Sequence, residues 1–575
     1  MPAKPLVDSE VPVVEAIIRA LEDAGVDTVF GMSGGNTGRI FSQLAFHTDT
    51  IRTVLVRNEA HATSAAEAYA RATGKIAVAM GQGSWLLGQG IVGTLEALFG
   101  ATPMLLLGDL SDGAPYSLHA PYQSATGEYG SWDARVAFSG MTKTVFEPHD
   151  PVSAVQSVQL AIKHALAGQP GPVAVLFHSA ALVGNVGPDS VPRLYATSGY
   201  LPQAAVATPN VSALAEALRT AEFPVLVAGG GVRSARAKDE LLSVAEASGA
   251  VVVTTAAGKG VFPEEHPLAA GVFGNFGAPG ANEALAAADT VIVLGSKLGP
   301  SDTANESTGL LNPGRQRIIQ VDIEPRNAAW TMPTSEVIIG DARAALAAVG
   351  EDLAATPLDQ AVVAARRARN AGYRAANSAG SLATSDAVPL HPQRVIAELR
   401  AALPDDVVIT ADAGENRLLM CRYFEARQGG EYLQPAGAGG MGYAIPAALG
   451  VKSQAPDRTV VAVCGDGGLS MSLQALLSAV EESLNIVIVV FCNGILGWVR
   501  HSQVARGEEL FNSALDRFDY AAIGGTIGLA AFHVTSPAEL APAIDDAVKA
   551  GKPALVVVDV STEQSFMDLR TPLLG

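Results

Sequence analysis

Short, wholly apolar runs of β type recur along this chain, and each stops at a glycine-rich turn. “PMLLLGDL”, “PVLVAGGGVRS”, “TVVAVCGDGG” and “NIVIVVFCNG” are examples. Between such runs lie longer stretches with helical spacing, such as “EAHATSAAEAYARATG” and “LSMSLQALLSAVEESL”. A strand that is apolar on both faces must be buried on both. Strands of that kind separated by helices build parallel sheets with helices on either side. The chain is therefore predicted to be an α/β protein of doubly wound parallel sheets. Its 575 residues are too many for one such domain and call for about three.

The runs fall into three blocks. We place an N-terminal domain at 1–185, a central domain at 205–350 and a C-terminal domain at 388–565. The stretch from Val183 to Asn210 is rich in Pro, Gly, Ser and Thr and reads as a linker. From Gly350 to Val388 a polar, alanine-rich stretch reads as a helix followed by a second linker. The first and third blocks are alike in size and pattern, as an old duplication would be, without a residue-level repeat.

Composition narrows the function classes. Apolar residues make up 49% of the chain and charged residues only 17%, which supports large cores and argues against disorder. A formal charge of −19 disfavours nucleic acid or an anionic membrane as the main partner. Cys421, Cys464 and Cys492 lie far apart with no CxxC, so neither a disulfide framework nor structural zinc is expected. The N-terminus “MPAKPLVDSE” has no signal-peptide core, and no run reaches the roughly 18 apolar residues of a membrane span. The expectation is a cytoplasmic protein.

The chemistry is expected at the strand ends, because open α/β sheets bind ligands outside the carboxyl ends of their strands. Asp466 and Asn493 both stand there, one strand–helix–strand unit apart. A carboxylate, an amide oxygen and a backbone carbonyl are hard oxygen ligands that suit Mg²⁺ shared with phosphate oxygens. Gly465, Gly467 and Gly468 would let the backbone approach a diphosphate. Alone, Asp466 reads as a helix cap and Asn493-Gly494 as an ordinary turn. The pairing at this spacing favours the ligand reading.

Here the sequence resembles the thiamine diphosphate-dependent enzymes, whose signature is GDG followed, after a helix and a strand, by an asparagine. Cys492 stands where the family usually has the first of two asparagines, and Asn493 matches the second. “AGAGGMGYAIPAALG” is similar to the segment under the cofactor in acetolactate synthase-like members. “LVRNEAHATSAAEAYARATGK” matches the strand and helix that carry the family's glutamate, and “FGMSGGNTGRIF” its preceding turn, with Ser33 for proline.

The resemblance implies thiamine diphosphate and Mg²⁺, with the metal held by Asp466, Asn493 and the carbonyl of Ile495. It implies that Met441 wedges between the cofactor's rings and that the Gly439 carbonyl accepts from its aminopyrimidine. Glu59 would hydrogen-bond the pyrimidine and drive deprotonation of the reactive carbon. It further implies a homodimer or homotetramer with the active site at the subunit interface.

For activity, the resemblance implies an acetolactate synthase-like carboligase acting on a 2-keto acid such as pyruvate, or on an aldehyde. The alternatives within the family are a 2-keto acid decarboxylase and a 2-hydroxyacyl-CoA lyase. A non-catalytic homologue or a nicotinamide-dependent oxidoreductase would not need Glu59, Met441, Asp466 and Asn493 together.

Candidate substrate-pocket residues are Trp85, in “GQGSWL” where the synthases have GPGATN; Gln123, in “HAPYQSA”; and Trp498 and His501, in “ILGWVRHSQ”, which resembles LGxxRxSQ in glyoxylate carboligase. His119 is a further loop candidate. The middle block resembles the family's central domain, which holds FAD in acetolactate synthases and ADP in some relatives, so FAD or ADP is a candidate ligand there. The synthases' FAD segment GxRxDDR has no match in “LGSKLGPSDTANES”, and “AGGGVRS” lacks the last glycine of a dinucleotide turn.

Overall fold

The computed structural model describes residues 4–112, 123–201 and 211–570. It contains three six-stranded sheets, and every strand pair within them is parallel. The predicted class, doubly wound parallel α/β, is the one observed.

The first sheet runs Arg52–Leu55, Thr28–Gly31, Ala77–Met80, Met104–Asp109, Pro172–Phe177, Val145–Phe146. Counted in chain order, that is second, first, third, fourth, sixth, fifth. The third sheet runs Glu431–Leu433, Val408–Ala411, Val460–Gly465, Val487–Cys492, Ala554–Asp559, Ala530–Val534, which is the same order. The central sheet differs: Ala269–Val272, Val251–Thr254, Pro224–Ala228, Thr290–Leu294, Arg317–Asp322, Glu336–Ile339. It has the strand order of the dinucleotide-binding sheets. The inner strands Ala77–Met80, Pro224–Ala228 and Val487–Cys492 are buried at every residue, which is why their sequences show no alternation.

The chain divides into two compact units. One joins the first sheet with Gly437–Pro456 and Ser472–Leu484; the other holds the central and third sheets. In the first unit, helix Ala444–Gln454 packs on helix Glu59–Thr73 so closely that a Cβ on Gly450 would strike the Ala65 backbone. The single helix predicted after the GDG turn is two. Asp466–Met471 belongs with its own sheet, Ser472 leaves the helical region at φ −124°, and Leu473–Glu481 belongs to the first unit.

Both linker stretches carry more structure than their composition indicates. Asn185–Val186 pairs antiparallel with Val11–Pro12, and Pro5 bridges Tyr195. Helix Gln360–Ala375 packs on helix Pro279–Ala287 beyond the expected end of the central domain. Its buried Arg366 donates to the carbonyls of Leu218, Ser248 and Ala221, three helix or loop ends that would otherwise lack partners. Such a capping role has no compositional signature.

Candidate functional site

In the third sheet, the strands that flank the change of direction are Val408–Ala411 and Val460–Gly465, and a crevice for ligands opens at such a point. Asp466 follows the second of them and is 3% exposed. Its Oδ2 accepts the Gly494 amide at 2.7 Å and its Oδ1 the Gly467 amide at 3.0 Å. Burial pushes its carboxyl above the ordinary value, and the amides of Gly494, Gly467 and Asn493 pull it back only in part. No ion pair to it occurs among the described residues. A buried carboxylate with neutral partners alone is an incomplete arrangement.

The Asn493–Ile495 turn stands beside it. Gly494 at φ 70° reverses the chain, and the Ile495 amide donates to Asn493 Oδ1 at 3.2 Å. The turn is tied to Asp466 through the Gly494 amide, which brings Asn493 and Ile495, the other two residues expected to offer oxygen donors, into its neighbourhood. Cys492 is an inert neighbour: its Sγ lies 3.8 Å from Asp466 Oδ2, and burial pushes its thiol up to about 12.

Sequence reasoning missed the other lip of this crevice. Asp412 is fully buried, and its carboxylate occupies the space that a Cβ on Gly468 would need, 2.8 Å away. Glu415, three residues on at the start of helix Glu415–Tyr423, binds His501 Nδ1 at 2.6 Å and the Phe566 amide at 2.9 Å. His501 Nε2 also meets the Thr562 carbonyl, and its bond to Glu415 raises its pKa. The recurrence of glycine beside an acid at two neighbouring strand ends, “DAGEN” and “GDGG”, was the available signal. Trp498 stacks on Phe566 at 4.2 Å with an interplanar angle of 4°, and Phe276 meets it edge-on.

In the first unit, Glu59 opens helix Glu59–Thr73, and Asn58 caps it by accepting the Ala60 amide. Glu59 is 5% exposed, with its Cγ beside Gly81 at the end of strand Ala77–Met80. Burial raises its pKa, and only its own amide opposes that. A buried carboxyl that holds its proton more tightly than a free one is suited to general acid–base work. His61, two residues on, is buried with Nδ1 unpartnered and pushed down to about 4, so it stays neutral.

The segment carrying Gly439 and Met441 belongs to this unit. Gly439 and Gly442 have φ of 71° and 80°, and Met441 is half-buried rather than a core methionine. Glu96 holds the segment down. It accepts the amides of Gly437 and Ala438 at 2.9 and 2.8 Å and pairs with Arg71 at 3.0 Å. Arg71 also pairs with Glu67, and Glu67 takes the Tyr443 hydroxyl at 2.5 Å. The only hint of Glu96 in the sequence is one acid inside the apolar helix “IVGTLEALF”.

Of the substrate-pocket candidates, Gln123 accepts from the Gln82 side chain, and Trp85 stands 44% exposed on helix Gly83–Gly88. Leu86, beside it, is core. His119 lies outside the described residues. In the central sheet, the Gly229–Gly231 turn is used for packing: a Cβ on Gly231 would sit 2.6 Å from the Gly295 Cα. Arg233 donates to the carbonyls of Ala257, Lys259 and Tyr432.

Three family models match the chain. The “Thiamine pyrophosphate enzyme, N-terminal TPP binding domain” covers residues 12–123, the central domain of the same enzymes 211–349, and their C-terminal TPP binding domain 412–558. An acetolactate synthase large subunit of Corynebacterium glutamicum is 32% identical over 93% of this chain and 84% of its own. A probable acetolactate synthase large subunit of Methanocaldococcus jannaschii is 29% identical over 95% and 91%. A sulfoacetaldehyde acetyltransferase of Alcaligenes xylosoxydans is 26% identical over 96% and 93%.

Proposed function

The chain belongs to the thiamine diphosphate-dependent enzymes, in their acetolactate synthase-like group, and from that membership we propose that it is a carboligase joining the acyl part of a 2-keto acid such as pyruvate to a second carbonyl compound. The observation that carries the reading is Asp466, a buried carboxylate at a strand-end crevice whose partners are neutral amides. Mg²⁺ held by Asp466, Asn493 and the Ile495 carbonyl would complete it. Gly465, Gly467 and Gly468 would leave room for the diphosphate.

When bound, thiamine diphosphate would supply an electron sink that stabilises negative charge at the former carbonyl carbon of the substrate. Glu59 would exchange a proton with the pyrimidine ring, and its burial suits a carboxyl that must be protonated near neutral pH. The Gly439 carbonyl would accept from the aminopyrimidine, and Met441 would pack against the cofactor's rings. Gln123, Trp85, Trp498 and His501 remain the proposed substrate-facing set. The proposed mechanism draws on neither FAD nor ADP; the glycine turn and Arg233 of the central sheet are engaged in packing.

We further propose a cytoplasmic homodimer or homotetramer in which Glu59 of one subunit serves the metal clamp of another. No helix among the described residues is long and apolar enough to cross a membrane. Mixing the separately inactive Glu59→Gln and Asp466→Asn proteins should restore partial activity if sites are shared between subunits. No recovery after subunit exchange would place each site within one chain.

The functional test is product analysis. The protein is stripped of Mg²⁺ and thiamine diphosphate, assayed with pyruvate and a panel of aldehydes and 2-keto acids, then reconstituted. Ligated products that appear only on reconstitution support the carboligase. Free aldehyde alone would make it a decarboxylase, and activity without the cofactor would sink the reading.

A further inference from the structure

We propose that Glu147, His149 and His178 form a binding site for a divalent transition cation of the zinc type at the C-terminal edge of the first sheet, built from residues the carboligase reading does not use. Glu147 follows strand Val145–Phe146 and His178 follows strand Pro172–Phe177, its parallel neighbour. Neighbouring parallel strands deliver their ends to one edge, where ligands bind. One ligand atom from each of Glu147, His149 and His178 lies within 4.8 Å of the others. The two imidazoles stack 4.1 Å apart, and His178 Nε2 is 2.8 Å from Glu147 Oε1.

Asp112 supplies a second observation. Its carboxylate bonds to His178 Nδ1 and is itself held by the Ser179 amide at 2.8 Å. A histidine with one nitrogen fixed by an anchored carboxylate turns the other nitrogen's lone pair towards a cation, and metal-binding histidines are held in this way. Two imidazoles and one carboxylate suit zinc or another later first-row divalent ion. They do not suit Mg²⁺, which prefers oxygen, so this set differs in kind from the oxygen donors around Asp466.

A tetrahedral ion with bonds of about 2.1 Å sets its ligands about 3.4 Å apart, so the 2.8 Å contact between Glu147 and His178 must open and His149 must adjust to it. His149 is exposed and free to do so, and Arg135, 3.6 Å from the second Glu147 oxygen, is largely in solvent. Bound there, the ion would tie together the ends of two adjacent strands and leave a fourth position for water.

The test uses the full-length protein with Mg²⁺ and thiamine diphosphate at saturation, titrated with Zn²⁺ by calorimetry and with Co²⁺ as a visible-absorbance probe. One equivalent of Zn²⁺ should bind, undisplaced by Mg²⁺, and Co²⁺ should show the bands of a four- or five-coordinate nitrogen–oxygen site. His149→Ala should abolish that equivalent, and Asp112→Asn should weaken it about 10- to 100-fold. Asp466→Asn should leave it intact. Zn²⁺ should raise Tm in the parent protein and not in His149→Ala. Because His149 is exposed, its variant is expected to fold, and circular dichroism checks that. No zinc equivalent in the parent, or one that His149→Ala retains, overturns the site and leaves His178 as an ion-paired histidine only.

Discussion

The first and third sheets share one strand order, yet their carboxyl edges are furnished in opposite ways. In the third sheet, the crevice residue Asp466 is met by backbone amides that favour its charged form, and oxygen donors gather beside it. In the first sheet, Glu59 lies against Gly81 with its own amide alone to favour charge. Burial raises the pKa of both, but the partners differ. One edge surrounds its carboxylate with backbone amides. The other is arranged to keep a proton within reach. Two sheets of one strand order thus deliver a carboxyl after different strands, Glu59 after the second and Asp466 after the third, and the surrounding loops decide what each does.

The largest expected effect breaks the first edge. Glu59→Gln keeps the shape and removes the exchangeable proton, so kcat should fall about 100- to 10,000-fold, with cofactor affinity nearly unchanged by direct titration. Stability should move the other way. A carboxyl whose folded pKa is raised holds its proton more tightly when folded. Its stabilising contribution is therefore full below the ordinary value of about 4.3 and lost as pH rises through the raised one. Relative to the parent, Glu59→Gln should gain Tm across that window. A Tm difference that does not vary with pH would remove the raised pKa from the argument.

Next comes the support of the Gly439 turn. Glu96→Ala takes the carboxylate from Arg71 and from the amides of Gly437 and Ala438. Arg71 keeps Glu67, so the cost is chiefly that of the two amides left without an acceptor, about 1–3 kcal/mol each, seen as a lower urea midpoint, and activity should fall with it. A variant that melts like the parent would show the turn to be held by packing of Gly437 on Phe99 and Gly440 on Val92 instead.

How far the sequence reveals these edges follows from the physics. Runs such as “VVAVC” and “VLVA” give the sheets away because burial on both faces leaves only apolar residues. Asp466 and Asn493 are legible because an acid and an amide beside glycines at two neighbouring strand ends make a recognisable pattern in the sequence. Glu96, Asp412 and Glu415 are not, because each serves a backbone or side-chain group brought near only by the fold. The shared strand order was equally hidden. Pairing between strands leaves no residue-level repeat when all strands are drawn from the same few apolar residues.

The third edge gives the next effect in size. Asp466→Asn deletes a buried charge that has amide partners but no cation among the described residues, so without Mg²⁺ the Tm should stay level or rise. With Mg²⁺ and thiamine diphosphate, the parent's Tm should climb and the variant's should not. Metal affinity should drop by at least the roughly 10- to 100-fold that loss of a supporting residue produces. A parent protein unmoved by both ligands would take away the distinction between the two edges.

The smallest effects test whether the two edges also differ in how they hold their tryptophans. Trp498 stacks on Phe566, whereas Trp85, 44% exposed, has no ring partner among the described residues. A double-mutant cycle on Trp498→Ala and Phe566→Leu should give a coupling of about 0.5–1.5 kcal/mol. Trp85→Ala should shift stability by less than about 0.5 kcal/mol and instead change KM across a panel of 2-keto acids. If Trp85→Ala leaves every KM in place, its exposed ring is surface and the substrate-facing set on the first edge shrinks to Gln123. If the Trp498–Phe566 coupling is absent, the stack is two independent contacts, and the third edge is no more rigidly supported than the first.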